Sequence, residues 1–331
     1  MPHTTRRTLL LAIAAAVTAC GDAPERPAPA ASVSAPKTAV PAASSNDTDL
    51  PELADPRRFL DTVPLRWAEW EVNPPADRAA RLRELGITPI RRDSVTGPVV
   101  DGYDPDGERA EDFHFVDFSG DGVADVIYDG AWFTLREGDL GALEGTHIKL
   151  YHVIGGRAVP VTEHHGSVQR IWKGRAGEPL SFRTMHHGCC ADPQWSLSFF
   201  RPLRRGDTVS YEPYRNVMGR EDLEIPKQFM ASPQRFTVNQ DGYLLRSTPR
   251  IAGSAAGWPN DTGGNAMAAY GRGARGTAVA ERRDTTGRVW WFVRMDGRTP
   301  PRDAQFVDDP NSRTPTDRLG WMSSRFLTAT P

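Results

Sequence analysis

The chain has 331 residues, a quarter of them charged, with a formal net charge of −2 and three cysteines. So balanced a charge, with no basic face interleaved with aromatics, excludes broad phosphate-backbone binding, and nucleic acid is not an expected partner. Beyond residue 50 no apolar stretch reaches membrane-spanning length, and nearly 290 residues suffice for two domains with cores of their own.

The first seven residues are cationic through Arg6 and Arg7, and Thr8 to Val17 form an apolar run too short to span a bilayer as a mature helix. The following Val17-Thr18-Ala19-Cys20 resembles the bacterial lipobox. The resemblance implies a signal peptide over 1–19, acylation of Cys20 and attachment to a lipid membrane. A plain secretory peptide cleaved elsewhere is the alternative. Gly21 offers no inner-membrane retention signal, so the expected location is the bacterial cell envelope, the outer membrane favoured over the inner. Residues 22–46 are almost all Ala, Pro, Ser, Thr and Val, which cannot bury enough apolar surface to fold, so 20–50 reads as a disordered tether.

Residues 51–235 read as a β-rich domain with flanking helices. Pro75 near the first turn and Gly86 past the end mark a packing helix over 75–86. From Phe113 the pattern becomes short apolar runs broken by turn residues: 126–128, 131–135, 148–153, 158–165, 168–172, 180–185, 195–200 and 209–214. Gly155-Gly156 suits a two-residue hairpin turn. This spacing predicts antiparallel β structure, followed by a helix-rich segment over 220–234.

Within that domain Asp117-Phe118-Ser119-Gly120-Asp121-Gly122-Val123-Ala124-Asp125 lies between two apolar runs. Carboxylates at every fourth position, a hydroxyl at the third and a glycine at the sixth let a tight loop present oxygen atoms to a hard cation such as Ca²⁺. An EF-hand would need a bidentate acid at the twelfth position, where Tyr128 stands. The stretch resembles the calcium loop of FG-GAP/VCBS repeats, the unit of integrin-like propellers. That resemblance implies ligation by the side chains of Asp117, Ser119, Asp121 and Asp125 and the carbonyl of Val123. One copy occurs, so the expected architecture is an incomplete propeller or a sandwich, with a structural calcium. The alternative is an Asp/Gly turn whose carboxylates only solvate a loop.

Two further clusters carry chemistry: Glu163-His164-His165-Gly166 and Met185-His186-His187-Gly188-Cys189-Cys190. Histidine and thiolate suit zinc or copper, but neighbours on a strand point to opposite faces, so only one of each pair can face a common ion. With Cys20 acylated, Cys189 and Cys190 pair only with each other. Their α-carbons, about 3.8 Å apart, sit below the usual disulfide range, so such a bridge is strained. A vicinal disulfide or buried thiols, a metal site and a redox cysteine all stay open. No serine lies in a nucleophile elbow and no His-Glu-x-x-His occurs. Gly271-Arg272-Gly273-Ala274-Arg275-Gly276 satisfies the dinucleotide fingerprint but precedes strand-like 289–293 across a polar turn, a hairpin rather than a βαβ unit, so no nucleotide is expected.

Residues 236–331 resemble a bacterial SH3-like domain through Asp241-Gly242-Tyr243-Leu244-Leu245-Arg246, Gly273-Ala274-Arg275-Gly276, Gly287-Arg288-Val289-Trp290-Trp291-Phe292-Val293 and Gly320-Trp321-Met322. The resemblance implies a small five-stranded β-barrel with an interaction surface, often for cell-wall peptide, here with long loops at 251–270 and 298–318. Of Trp290 with Phe292 and Trp291 with Val293, one pair is expected in the core and the other at the surface. The expectation is a mainly β, non-enzymatic envelope lipoprotein that binds peptidoglycan or an envelope protein. The alternative is an enzyme or redox/metal protein built on His164, His165, His186, Cys189 and Cys190.

Overall fold

The computed structural model describes residues 65–90, 107–133, 142–187, 194–252, 264–304 and 313–330. Cys20, Cys189 and Cys190, with the acylation and disulfide expected of them, lie outside the described residues, as do the signal peptide and tether. Residues 51–331 belong to one compact unit, mainly β, with antiparallel sheets in a sandwich-like arrangement.

The first sheet is four-stranded, in the order β1 (Phe113–Val116), β2 (Asp125–Phe133), β3 (Ala142–Ile154), β4 (Arg157–His165). Ile154 pairs with Arg157, so Gly155-Gly156 is the two-residue turn expected of it, both glycines at positive φ. Alternation along β2 splits its side chains between two layers. Val126 and Tyr128 turn outward to join Leu82, Leu85 and Ile87, while Ile127 turns inward with Ile148 and Leu150. The outer layer is helix α1 (Arg78–Leu85), capped by the Asp77 carboxylate accepting from the Ala80 amide (2.8 Å) and ended by Gly86 at φ 80°. Arg78 fixes it to β1, donating to Glu71 (2.6 and 2.8 Å) and to the Phe113 carbonyl (2.7 Å).

The inner face meets a second sheet begun by β5 (Ser167–Trp172), β6 (Ser181–His187), β7 (Gln194–Arg205) and β8 (Thr208–Arg220). Val168, Ile171, Phe182, Phe200, Val209 and Tyr211 pack against Ile127, Ile148 and Leu150, so one apolar layer joins the two sheets. These strands occupy the places that the apolar runs mark, but several run longer because their ends carry polar residues. Residues 221–233 form no helix. Pro226 and Pro233 interrupt the segment, and its backbone bonds run elsewhere, the Glu224 amide donating to the Ser247 carbonyl (2.8 Å).

The boundary expected at 235/236 falls inside β9 (Gln234–Val238), the strand that follows β8. From there β10 (Tyr243–Arg246), β11 (Ala266–Tyr270), β12 (Arg275–Arg283), β13 (Val289–Met295), β14 (Asp303–Ala304), β15 (Thr316–Ser323) and β16 (Leu327–Ala329) follow, a 3-10 turn at Ser324–Phe326 preceding the last. The order β16-β9-β12-β13-β15 continues into β8, and β15 meets β8 in parallel with Asp317 opposite Val217. Phe236, Val238, Leu245, Ala278, Val293, Met295, Met322 and Leu327 share one core, but no pairing closes these strands into a barrel among the described residues. Two expectations change here. The segments 251–270 and 298–318 contribute β11 and β14, which pair with each other. Strand β13 is buried on both faces, because Val293 enters the core while Trp290 and Phe292 are covered on the other side, Phe292 against Trp321.

Candidate functional site

The aspartate loop joins β1 to β2 and is wedged between the two sheets. Phe118 is buried in the shared core, and its carbonyl accepts from the Leu180 amide and the Tyr211 hydroxyl, both at 2.9 Å. Gly120 has φ 75° and lies so close to the next turn that a Cβ there would stand 2.6 Å from the Glu178 carbonyl oxygen. Only glycine meets both conditions.

The three carboxylates behave differently. Asp117 accepts from the amides of Gly120 (2.8 Å) and Gly122 (3.0 Å), and Asp121 from that of Val123 (2.8 Å). Asp125 is fully buried and accepts from the Ser119 and Val153 amides at 2.9 and 2.8 Å, tying the loop to β3. Burial outweighs those bonds and raises its pKa to about 6. Against the loop lies His152, 2% exposed, which the sequence reading missed because it comes 27 residues after Asp125. Its Nδ1 accepts from the Val209 amide (3.2 Å), which assigns the ring proton to Nε2. Nε2 makes no hydrogen bond among the described residues and faces Asp121 at 3.5 Å and Asp125 at 3.9 Å.

The fit to a hard cation is therefore chemical. Asp117, Asp121 and Asp125 supply oxygen donors with no lysine or arginine paired to any of them among the described residues, whereas the His152 N–H that faces Asp121 and Asp125 is a donor and no ligand for a cation. Among the described residues no three His, Cys, Asp or Glu side chains are gathered closely enough to hold a metal ion. The carboxylates here are turned onto the loop's own amides.

The histidines gather where β4 crosses to β5. His147 pairs across the ladder with His165, their rings 5.3 Å apart, and His165 lies 6.2 Å from His186. His164 points the other way, 3.2 Å from the Ser198 hydroxyl and edge-on to Phe200, as strand alternation requires. Burial is the main cause that pushes His147 down to about 3, with His165 and Lys149 adding positive charge nearby. It pushes His164 down to about 4 in the same way. Both are neutral imidazoles at pH 7. The sequence had not marked His147, which enters the cluster only through the β3–β4 register.

On the C-terminal strands a groove of about 210 Å³ opens between β10 and the β12–β13 turn, lined by Tyr243, Leu244, Arg246, Ile251, Arg288 and Trp290 among others. The Trp290 indole is held by Asp284 (2.9 Å) and the Tyr243 hydroxyl by the Ser323 carbonyl (2.7 Å), so both rings are fixed. Among the described residues no helix is long and apolar enough to cross a membrane. No protein-family model, curated protein or solved structure matches the chain.

Proposed function

We propose that this chain is a lipid-anchored protein of the bacterial envelope that works as a binding module for peptidoglycan or an envelope protein. Cys20 would hold it to the membrane, residues 20–50 would give it reach, and the C-terminal strands would carry the binding face. The observation that carries the reading is the groove on those strands, with two fixed aromatic rings and two arginines in its lining. Seven strands, β9 to β13 with β15 and β16, contribute to one core there, two more than the five-stranded barrel that the SH3-like reading implies.

Calcium in this reading is structural. Asp117, Asp121 and Asp125, with the Ser119 hydroxyl and the Val123 carbonyl, would hold it, and its charge would keep Asp125 ionised in its buried setting. A loop bonded to both sheets gives an ion there leverage over the sandwich, not over a reaction. A second reading, an enzyme or redox protein around the histidines, rests on the convergence of His147, His165 and His186 from three strands, at separations too wide for the three to hold one metal ion.

Sedimentation of the purified protein with peptidoglycan sacculi tests the first reading. Co-sedimentation that an Arg288→Gln change weakens is the expected result. Protein that stays in the supernatant with sacculi, and draws no envelope protein in crosslinking, would overturn it.

A further inference from the structure

Arg246 is a buried cation with no anionic partner among the described residues. It is 8% exposed, and its guanidinium donates to the Asn265 side-chain oxygen at 2.8 Å. No carboxylate pairs with it among the described residues, and its charged neighbour is another arginine, Arg288. A buried charge is costly unless it is paired, so a fold that keeps one beside an open groove is arranged for a counter-charge from outside. Arg288 comes from the β12–β13 turn, is exposed, and stacks over the Trp290 ring at 5.6 Å, also with no carboxylate partner among the described residues. The two guanidiniums therefore approach one groove from different elements, with the Tyr243 phenol close to both.

The remaining lining fixes the kind of anion. Leu244, Ile251 and the face of Tyr243 are apolar, and Ile251 is 61% exposed, a large side chain left in water at the groove's edge. A bare inorganic anion would use the arginines and leave this surface wet. The volume is below the ~300–1,000 Å³ usual for pockets that take drug-sized ligands. It holds about one or two residues of a peptide.

We infer that the groove between β10 and the β12–β13 turn binds the free carboxylate of a peptide terminus, with Arg246 and Arg288 on the carboxylate and Tyr243, Leu244 and Ile251 against the adjoining side chain. This rests on the binding-module reading and names its ligand class. Arginine suits the task because its planar fork matches a carboxylate's two oxygens. Trp290 floors the groove and reports occupancy through its fluorescence.

The test titrates the full-length chain, in mild detergent, with acetyl-lysyl-D-alanyl-D-alanine as the free acid, with its C-terminal amide, and with inorganic phosphate. The free acid is expected to bind, and the amide to bind about 10-fold to 100-fold more weakly, the range for losing hydrogen bonds to a charged group. Arg288→Gln, a surface change, should weaken the free acid about 10-fold while leaving the melting temperature unchanged. Arg246→Met should abolish binding. Equal affinity for acid and amide, or no binding by either, overturns the inference. Phosphate binding as tightly as the free acid overturns the peptide assignment. Sacculi that still sediment the protein when the free acid fails would leave the binding-module reading standing and sink only the carboxylate site. Free acid bound by a protein that ignores sacculi would do the reverse.

Discussion

Replacing Asp125 with alanine in the calcium-free protein exposes how the aspartate loop is held. The carboxylate accepts from the Ser119 and Val153 amides, and its loss leaves both buried donors without an acceptor. Each orphaned group costs about 1–3 kcal/mol. Against this, the variant no longer buries an ionised carboxylate whose pKa is raised from 3.8 to about 6. That relief is worth about 3 kcal/mol at pH 7. The net expectation is a loss of about 1–2 kcal/mol at neutral pH, read by urea unfolding. A folded-state pKa above the unfolded one contributes stability that is complete below the unfolded value near 4 and fades as pH rises through about 6. Wild type therefore gains on going from pH 7 to pH 5 and the variant does not, widening the gap by about 1 kcal/mol. A variant as stable as wild type at pH 7, or a gap that narrows on acidification, would refute the reasoning.

Three further outcomes follow from packing and charge. Gly120→Ala should lose at least about 2 kcal/mol, because its Cβ would collide with the Glu178 carbonyl at a positive φ, whereas Gly122→Ala, with open space around it, should lose only about 1 kcal/mol. Equal melting temperatures for the two would contradict the wedge. Asp317→Ala removes the buried carboxylate that Arg215 (3.2 Å) and Arg294 (3.5 Å) both face where β15 meets β8, and should cost about 3–5 kcal/mol in chemical denaturation. An unchanged midpoint would show that the cluster contributes nothing to joining the strands. Asp129→Asn should become more stable relative to wild type by about 2 kcal/mol between pH 5 and pH 8. Burial raises the Asp129 pKa to about 7, so its stabilising contribution is present at low pH and lost as pH rises through that value. A pH-independent difference would refute this one.

What could be read from the sequence was local. The aspartate loop between two strands, the Gly155-Gly156 hairpin and the capped helix are each decided by residues within a few positions of one another, so turn and cap chemistry suffices to place them. Burial on both faces of β13 was not legible, because Trp290 to Val293 are apolar whichever way they point and only the neighbouring strands decide which faces are covered. The 220–234 segment misled through its charged composition, which suits a helix surface, while Pro226 and Pro233 and the contact with Ser247 hold it extended or turned. The site was half legible for the same reason. Asp117, Asp121 and Asp125 announce themselves by spacing, but His152 reaches them only through β3, and Arg246 and Arg288 share a groove although 42 positions apart.

Calorimetric titration of calcium into the metal-stripped protein, beside an Asp121→Ala variant, tests the central claim most directly. Asp121 is partly exposed and bonds only the Val123 amide within its own loop, so its loss removes a donor without undoing the core. The account predicts binding with a dissociation constant of about 10⁻⁴–10⁻³ M, the range of extracellular calcium modules, a raised melting temperature, and loss of both in the variant. No heat of binding and an unchanged melting curve in calcium and in EDTA would contradict it, leaving the loop as a turn held by its own amides.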